Sequence, residues 1–377
     1  MFIDLYTLQN VPPSNINRDD TGSPKTTRYG GVLRSRVSSQ AWKRAMRELF
    51  SSLLDSDKLG VRTKNAVSLI RQAIVDKRPD LVDEADGLAQ CALTATGVKV
   101  KKSDRAGVDN GTSATEYLIF IAHREIDELA DLAIAWHDAG IDTAKPSAAM
   151  KKEVDAVFHG VQAIDIALFG RMLADAPDLN TDASAQVAHA ISVDQITPEY
   201  DYFTAVDDCA SNDNAGAAML DTIGFNSSTL YRYATVSVDS LQDQLRDPAA
   251  AVEGAVAFVE AFIRSMPTGK QNTFANRTLP GTSVVVVRDD QPINVVDAFE
   301  DPVQAKEGES VSHQAAVRLG RKLDNVQTAY GDEPVKAWNV TTDDPVPELD
   351  AISEHVSFPV LKSELKDLLT QALADRG

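Results

Sequence analysis

The residues with the clearest chemistry form a dense basic run near the start of the chain. The run contains five cations, at Arg34, Arg36, Lys43, Arg44 and Arg47. The first fifty residues hold eight Lys and Arg against four acids, a net charge of +4, whereas the whole chain of 377 residues carries −19. Because non-specific binding to nucleic acid needs a broad positive surface, this acidic chain is expected to bind a polyanion at one place only.

A helix start lies inside the basic run. Ser38 or Ser39 is a good N-cap for a helix over 40–54, and the free amides and macrodipole of a helix start favour an anion. Lys43 and Arg47 are four residues apart and therefore share one face. We predict that this region binds the phosphates of a nucleic-acid backbone. The alternative is a basic face that contacts only solvent.

The sequence contains few candidates for catalysis. Asp19 and Asp20 are adjacent loop carboxylates that could hold a divalent metal and activate water. Loop aspartates also cap turns or pair with a neighbour such as Arg18, and we favour that role. The six histidines and two cysteines form no zinc-binding or nucleophile motif, and no phosphate-binding or dinucleotide-binding glycine loop occurs. The sequence therefore predicts a protein without enzymatic activity, metal or cofactor.

Two aromatic pairs are candidates for contact with bases. Tyr202 and Phe203 lie in a predicted hairpin, where they could stack on bases or anchor the hairpin to its domain. Tyr231 and Tyr233 alternate on a predicted strand and therefore point to one face. They could also stack on bases, but we favour a place in the core.

The elements that must position these residues alternate between strands and helices. Strands are expected over 2–9, 33–37, 231–238 and 283–288, and a protruding hairpin over 188–229. Helices are expected over 40–54, 115–138, 161–175, 247–265, 311–330 and 362–375, with a mostly helical region over 58–165. Strands from both ends of the chain, with helices inserted between them, indicate one α+β domain that is discontinuous in sequence. Neither a signal peptide nor a membrane-spanning run is found, so a cytoplasmic protein with no membrane partner is expected.

Five motifs follow one another over residues 1 to about 275: V-P-P-S-N-I-N-R-D-D, Y-G-G-V-L-R-S-R-V-S-S-Q-A-W-K-R-A-M-R, L-F-G-R-M, Y-F-T-A-V-D-D and F-N-S-S-T-L-Y-R-Y-A. Together they resemble the CasC (Cse-type) backbone subunit of the type I-E CRISPR Cascade complex. The motif P-T-G-K-Q-N-T, which contains Lys270, also matches a family position. The last hundred residues or so are less distinctive.

The resemblance implies a hand-shaped α+β protein with an RRM-like (ferredoxin-like) palm, helical fingers and a β-hairpin thumb. The implied boundaries are 1–57, 161–187 and 230–377 for the palm, 58–160 for the fingers and 188–229 for the thumb. The implied function is non-catalytic: several copies polymerise along one CRISPR RNA and present its bases for pairing with target DNA in antiviral defence. The alternative is a metal-dependent ribonuclease like the related subunits of type III complexes, which would use Asp19 or Asp20.

The resemblance also implies RNA-binding residues and partners. The residues expected at guide phosphates and sugars are Arg18, Ser38, Gln40, Lys43, Arg44 and Arg47. Those expected to line the same groove are Arg171, Met172 and Lys270, and those at the wedge of the thumb are Tyr202, Phe203 and Thr204. Tyr202 stands where a tryptophan is familiar in the family. The implied partners are crRNA, the target DNA strand, further copies of the chain, and the large subunit, small subunits, 5′-handle-binding subunit and crRNA-processing endoribonuclease of Cascade.

Overall fold

The computed structural model describes residues 1–102, 113–205 and 219–375. The strands are β1 Phe2–Ser14, β2 Thr26–Tyr29, β3 Val32–Val37, β4 Gly60–Thr63, β5 Val100–Lys102, β6 Ser113–Thr115, β7 Ile119–Ala122, β8 Ala185–Val187, β9 Ala190–Ser192, β10 Glu199–Ala205, β11 Met219–Ser237, β12 Thr282–Arg288, β13 Lys336–Thr341 and β14 Glu354–His355. The α-helices are α1 Ser39–Leu53, α2 Ala66–Lys77, α3 Ala85–Ala95, α4 His123–Asp138, α5 Ala148–Phe158, α6 Ile164–Phe169, α7 Val238–Leu245, α8 Pro248–Arg264, α9 Gln271–Phe274, α10 Val311–Tyr330, α11 Pro347–Asp350 and α12 Phe358–Ala374. The predicted α+β class is confirmed. Within the described ranges, no helix is long and apolar enough to cross a membrane.

The chain divides into two compact units. Unit 1 comprises Met1–Leu49, Gln186–Ser237 and Phe258–Leu368, and unit 2 comprises Phe50–Ala185, Val238–Ala257 and the residues from Leu369 onward. The segment 161–187, expected in the palm, therefore falls almost entirely in unit 2, together with every described residue of the segment 58–160 that was expected to form the fingers.

A large, mainly antiparallel sheet forms the framework of unit 1. Its main path has the order β14-β13-β12-β1-β11-β9-β3-β2, and β8 and β10 also pair with β11. β1 lies between β11 and β12, so that Tyr6 pairs with Tyr233 on one side and with Val284 on the other. Residues 3–9 of β1 are buried without interruption, as expected for a central strand that is covered on both faces.

Aromatic side chains pack on one face of this sheet. Tyr6 and Tyr233 have ring centroids 5.4 Å apart, and Tyr231 lies 5.1 Å from Phe299. These rings share a core cluster with Leu319 of α10. The favoured core role of Tyr231 and Tyr233 is therefore confirmed, because both side chains are buried and neither can stack on a base.

Helices α2 to α5 supply most of the hydrophobic core of unit 2. The helix expected over 115–138 is wrong in its first part, because Ile119–Ala122 form β7 and pair with β4. Helix α4 begins only at His123. At this start the Glu125 carboxylate accepts the Ala122 amide at 2.8 Å, which satisfies one of the leading donors of the helix.

The helix expected over 161–175 is also shorter than predicted. Helix α6 ends at Phe169, where Gly170 has φ +76°. A Cβ atom on Gly170 would lie 3.0 Å from the carbonyl oxygen of Thr181. Glycine therefore ends the helix and allows the chain to approach Thr181 closely.

Candidate nucleic-acid interface

Helix α1 begins in a network of capping contacts. Ser38 Oγ accepts the Ala41 amide at 3.3 Å, which confirms Ser38 as the N-cap. The Ser38 amide donates to Asn17 Oδ1 at 2.9 Å, and the Ser39 amide donates to His189 Nδ1 at 3.2 Å. Three of the four leading amides are therefore engaged. This corrects the expectation of a free helix start, so a phosphate here must be bound mainly through side chains.

The residues of α1 divide between core and solvent. Trp42 is buried, Arg44 is exposed, and Lys43 and Arg47 are partly buried. Burial lowers the pKa of Lys43. Arg44 Nε lies 2.8 Å from Glu48 Oε1 in an exposed pair one turn apart. Because such a pair contributes only about 0.3–0.5 kcal/mol, a phosphate can replace Glu48 as the partner of Arg44.

Arg34 and Arg36 lie two residues apart on β3 and have different environments. Arg34 is fully buried, and its Nη1 and Nη2 donate to the carbonyl oxygens of Ser192 and Phe299 at 3.0 and 2.9 Å. The expectation that Arg34 belongs to the basic surface is therefore wrong, because its guanidinium links strands and loops of unit 1. Arg36 is only partly buried, and its amide donates to the Lys25 carbonyl at 3.0 Å.

Two loops of unit 1 carry Arg18 and Lys270. Arg18 is exposed on the loop between β1 and β2, and Asn15 anchors this loop by donating to a carbonyl oxygen of β11 at 2.9 Å. A Cβ atom on Gly269 would lie 2.3 Å from the carbonyl oxygen of Ile16. Only glycine permits so close an approach, and it places Lys270 beside the loop that carries Arg18.

The carboxylate of Asp19 closes a turn. Its Oδ1 accepts the amides of Thr21 and Ser23 at 2.9 and 3.0 Å and the Thr21 hydroxyl at 2.7 Å. These hydrogen bonds, above all that of the hydroxyl, lower the pKa of Asp19. The turn-capping role is thus confirmed for Asp19. Across residues 1–102, 113–205 and 219–375, no group of three or more His, Cys, Asp or Glu is placed to hold a metal ion.

Strands β10 and β11 form the two arms of the predicted hairpin. Phe203 pairs with Asp221 and Thr204 with Leu220 in an antiparallel register. The expectation of paired arms is confirmed. The tip, 206–218, lies outside the described residues.

The arm β10 presents two tyrosines to solvent. Tyr202 is 63% exposed and Tyr200 is 67% exposed, and their spacing places both on one face. Phe203 is partly buried. Sequence reasoning identified Tyr202 and missed Tyr200, although the alternation in E-Y-D-Y could have indicated it.

Arg171 belongs to unit 2 and is buried there. Its Nη1 lies 2.7 and 2.8 Å from the two carboxylate oxygens of Glu125, and its Nε donates to the carbonyl oxygen of Leu179. Burial raises the pKa of Glu125, and the charge of Arg171 opposes that rise. The structure therefore corrects the expectation that the Arg171 side chain contacts RNA, because its guanidinium is buried and already bonded to groups within unit 2. Met172 is 81% exposed, and it stays a candidate for contact with RNA.

Unit 1 carries most of the expected phosphate-binding residues on connected elements: Arg18, Ser38, Gln40, Lys43, Arg44, Arg47 and Lys270. It adds His189, Lys25 and Arg36 beside the start of α1. Burial, and then the charges of Arg36 and Lys25, lower the pKa of His189. Sequence reasoning missed His189 because its contact with Ser39 joins residues 150 positions apart, and no local signal marks such a contact.

The fold and the basic face of unit 1 define an α+β protein with a candidate site for a polyanion. The sequence matches the family model described as CT1975-like protein over residues 3–364, and the chain belongs to this family, that of the CasC backbone subunits of Cascade. A chain of a solved "CRISPR RNA-guided surveillance complex, pre-nicking" is 32% identical with a TM-score of 0.85, covering 98% of this chain and 100% of that chain. A chain of another "CRISPR RNA-guided surveillance complex" is 28% identical with a TM-score of 0.75 and the same coverage. No curated protein sequence matches the chain.

Proposed function

We propose that the chain is a non-catalytic, crRNA-binding backbone subunit of a type I-E Cascade complex in the cytoplasm. In this proposal several copies polymerise along one guide and present its bases to the target DNA strand. Unit 1 acts as an RRM-like palm, helices of unit 2 act as fingers, and the hairpin of β10 and β11 acts as the thumb. The large subunit, small subunits, 5′-handle-binding subunit and crRNA-processing endoribonuclease complete the assembly. Membership of the CasC family supports this role.

The observation that carries the proposal is the basic surface at the start of α1 in a chain of net charge −19. A guide-binding subunit must accept any spacer sequence, so contacts with phosphates should dominate over contacts with base edges. Lys43, Arg44 and Arg47 are cations suited to phosphates. The exposed rings of Tyr200 and Tyr202 add stacking surfaces, which accept any base.

Co-purification tests the proposal directly. The full chain, expressed with its partner subunits and a CRISPR array, should co-purify with RNA transcribed from that array. Arrays with unrelated spacers should give the same yield of bound RNA. A complex that assembles without RNA, or that retains only one spacer, would contradict the proposal.

The ribonuclease alternative needs a separate experiment. The assembled complex is incubated with RNA complementary to the guide and with Mg²⁺, and the products are resolved on a gel. Because Asp19 is engaged in its turn, Asp20 is the residue to vary. We expect intact RNA. Regularly spaced cuts that disappear in Asp20→Ala would overturn the non-catalytic assignment.

A further inference from the structure

The fold determines which ring nitrogen of His189 carries the proton. Nδ1 lies 3.2 Å from the Ser39 amide nitrogen. A backbone amide can only donate, so Nδ1 is the acceptor and the proton of the neutral ring resides on Nε2. The side chain is exposed. His189 therefore has an N–H donor at the edge of its ring that α1 does not use.

Two cations accompany this donor. Arg36 pairs with Ile191 where β3 meets β9, two residues from His189 along the chain. The Arg36 amide donates to the Lys25 carbonyl oxygen at 3.0 Å. This hydrogen bond holds the backbone of Lys25 next to that of Arg36. Burial and these two positive charges lower the pKa of His189, which agrees with a neutral ring whose Nδ1 accepts the Ser39 amide.

We propose that His189 is a further RNA contact, whose Nε2–H donates to a phosphate oxygen of the bound strand beside Lys25 and Arg36. The inference rests on the proposed function of unit 1. Lys25 and Arg36 supply the positive charge, whereas the imidazole, held by Ser39, supplies a donor of fixed direction. A hydrogen bond to an ionised phosphate is stronger than one between neutral groups, so a single neutral donor contributes measurably here.

Two substitutions separate the two nitrogens of His189. In His189→Asn, the amide oxygen can take the place of Nδ1 and accept the Ser39 amide, but nothing replaces the Nε2–H. In His189→Gln, the longer side chain can bring an N–H donor to the position of Nε2, while the acceptor for Ser39 is lost. Thermal unfolding reports the cap, and binding of the full chain to a short single-stranded RNA reports the phosphate contact.

The proposal predicts opposite results for the two variants. His189→Asn should keep the Tm of the wild type and bind RNA roughly tenfold more weakly, the size expected for one hydrogen bond to a charged group. His189→Gln should retain most of the affinity and lose roughly 1–3 °C in Tm through the missing cap. Wild-type affinity in His189→Asn would overturn the proposal.

Salt dependence provides an independent measurement. A ring whose Nδ1 accepts the Ser39 amide carries no charge, so His189→Asn should leave the slope of log affinity against log salt unchanged. Lys25→Ala, which removes a cation, should lower that slope by roughly 0.7 if Lys25 contacts a phosphate. A slope change in His189→Asn would also contradict the proposal. If the wild-type chain itself fails to bind RNA, the proposed function fails; if it binds and only His189→Asn is silent, this inference alone fails.

Discussion

At the residue scale, buried arginines and surface cations serve different purposes in this chain. Arg232 is fully buried, its guanidinium carbon lies 3.7 Å from the centroid of the Trp42 ring, and its Nη1 donates to Gln9 Oε1 at 2.7 Å. Burial lowers the pKa of Arg232, and the aromatic face offsets part of the cost of burying the charge. Because Trp42 belongs to α1 and Arg232 to β11, this contact fixes the helix on the sheet. The side chain of Arg44 on the same helix remains in solvent.

The role of Lys43 gives a prediction at this scale. Lys43→Ala should weaken binding to RNAs of unrelated sequence by the same factor, and should lower the salt slope by about 0.7 for one lost contact with a single-strand phosphate. Fluorescence anisotropy over a series of salt concentrations measures both quantities. Lys151→Ala, which removes an exposed lysine of α5, is the matched control. A loss that varies with RNA sequence, or an equal slope change in the control, would contradict the phosphate role.

At the element scale, the parts of the fold that depend on local signals could be predicted from the sequence. The serine N-cap at Ser38 or Ser39 predicted a helix over 40–54, and α1 spans Ser39–Leu53, within a residue at each end. The burial of the Arg34 side chain could not be predicted, because the carbonyl oxygens that accept its hydrogen bonds, on Ser192 and Phe299, are 158 and 265 residues away in the sequence. Helix α4 was misplaced at its start because Ile119–Ala122 carry both helical and strand signals, and only pairing with β4 decides between them.

The segment that follows α6 depends on one buried ion pair, and this gives a prediction for the element. Arg171→Met leaves the Glu125 carboxylate buried without its cation, so the free energy of unfolding should fall by about 3–5 kcal/mol. Chemical denaturation measures the loss. Met172→Ala alters the exposed neighbour and should change stability by no more than about 0.5 kcal/mol.

RNA binding by the same two variants distinguishes structure from contact. Met172→Ala should weaken binding if Met172 lines the guide groove, whereas Arg171→Met should bind normally under conditions in which it is folded. A variant at Arg171 that unfolds like the wild type but loses affinity would restore Arg171 to the RNA-binding residues and refute the structural role assigned to it.

At the scale of the whole molecule, the sign of the charge is the governing feature. The chain carries −19 in total, and the first fifty residues carry +4, so most of the surface repels a polyanion while the start of α1 attracts it. Such a distribution favours binding of a polyanion at one place on the protein over binding at many places. The composition predicts one local site, and the structure removes buried Arg34 from the cations that could form it.

Nuclease protection of RNA by the full chain tests this account most directly. Guide-length RNAs of unrelated sequence are incubated with increasing amounts of protein and then digested. We expect protection to extend along the RNA in equal increments as each further copy binds, with the same increment for every sequence. Absence of protection, or protection confined to one sequence, would contradict a backbone subunit that binds RNA through its phosphates.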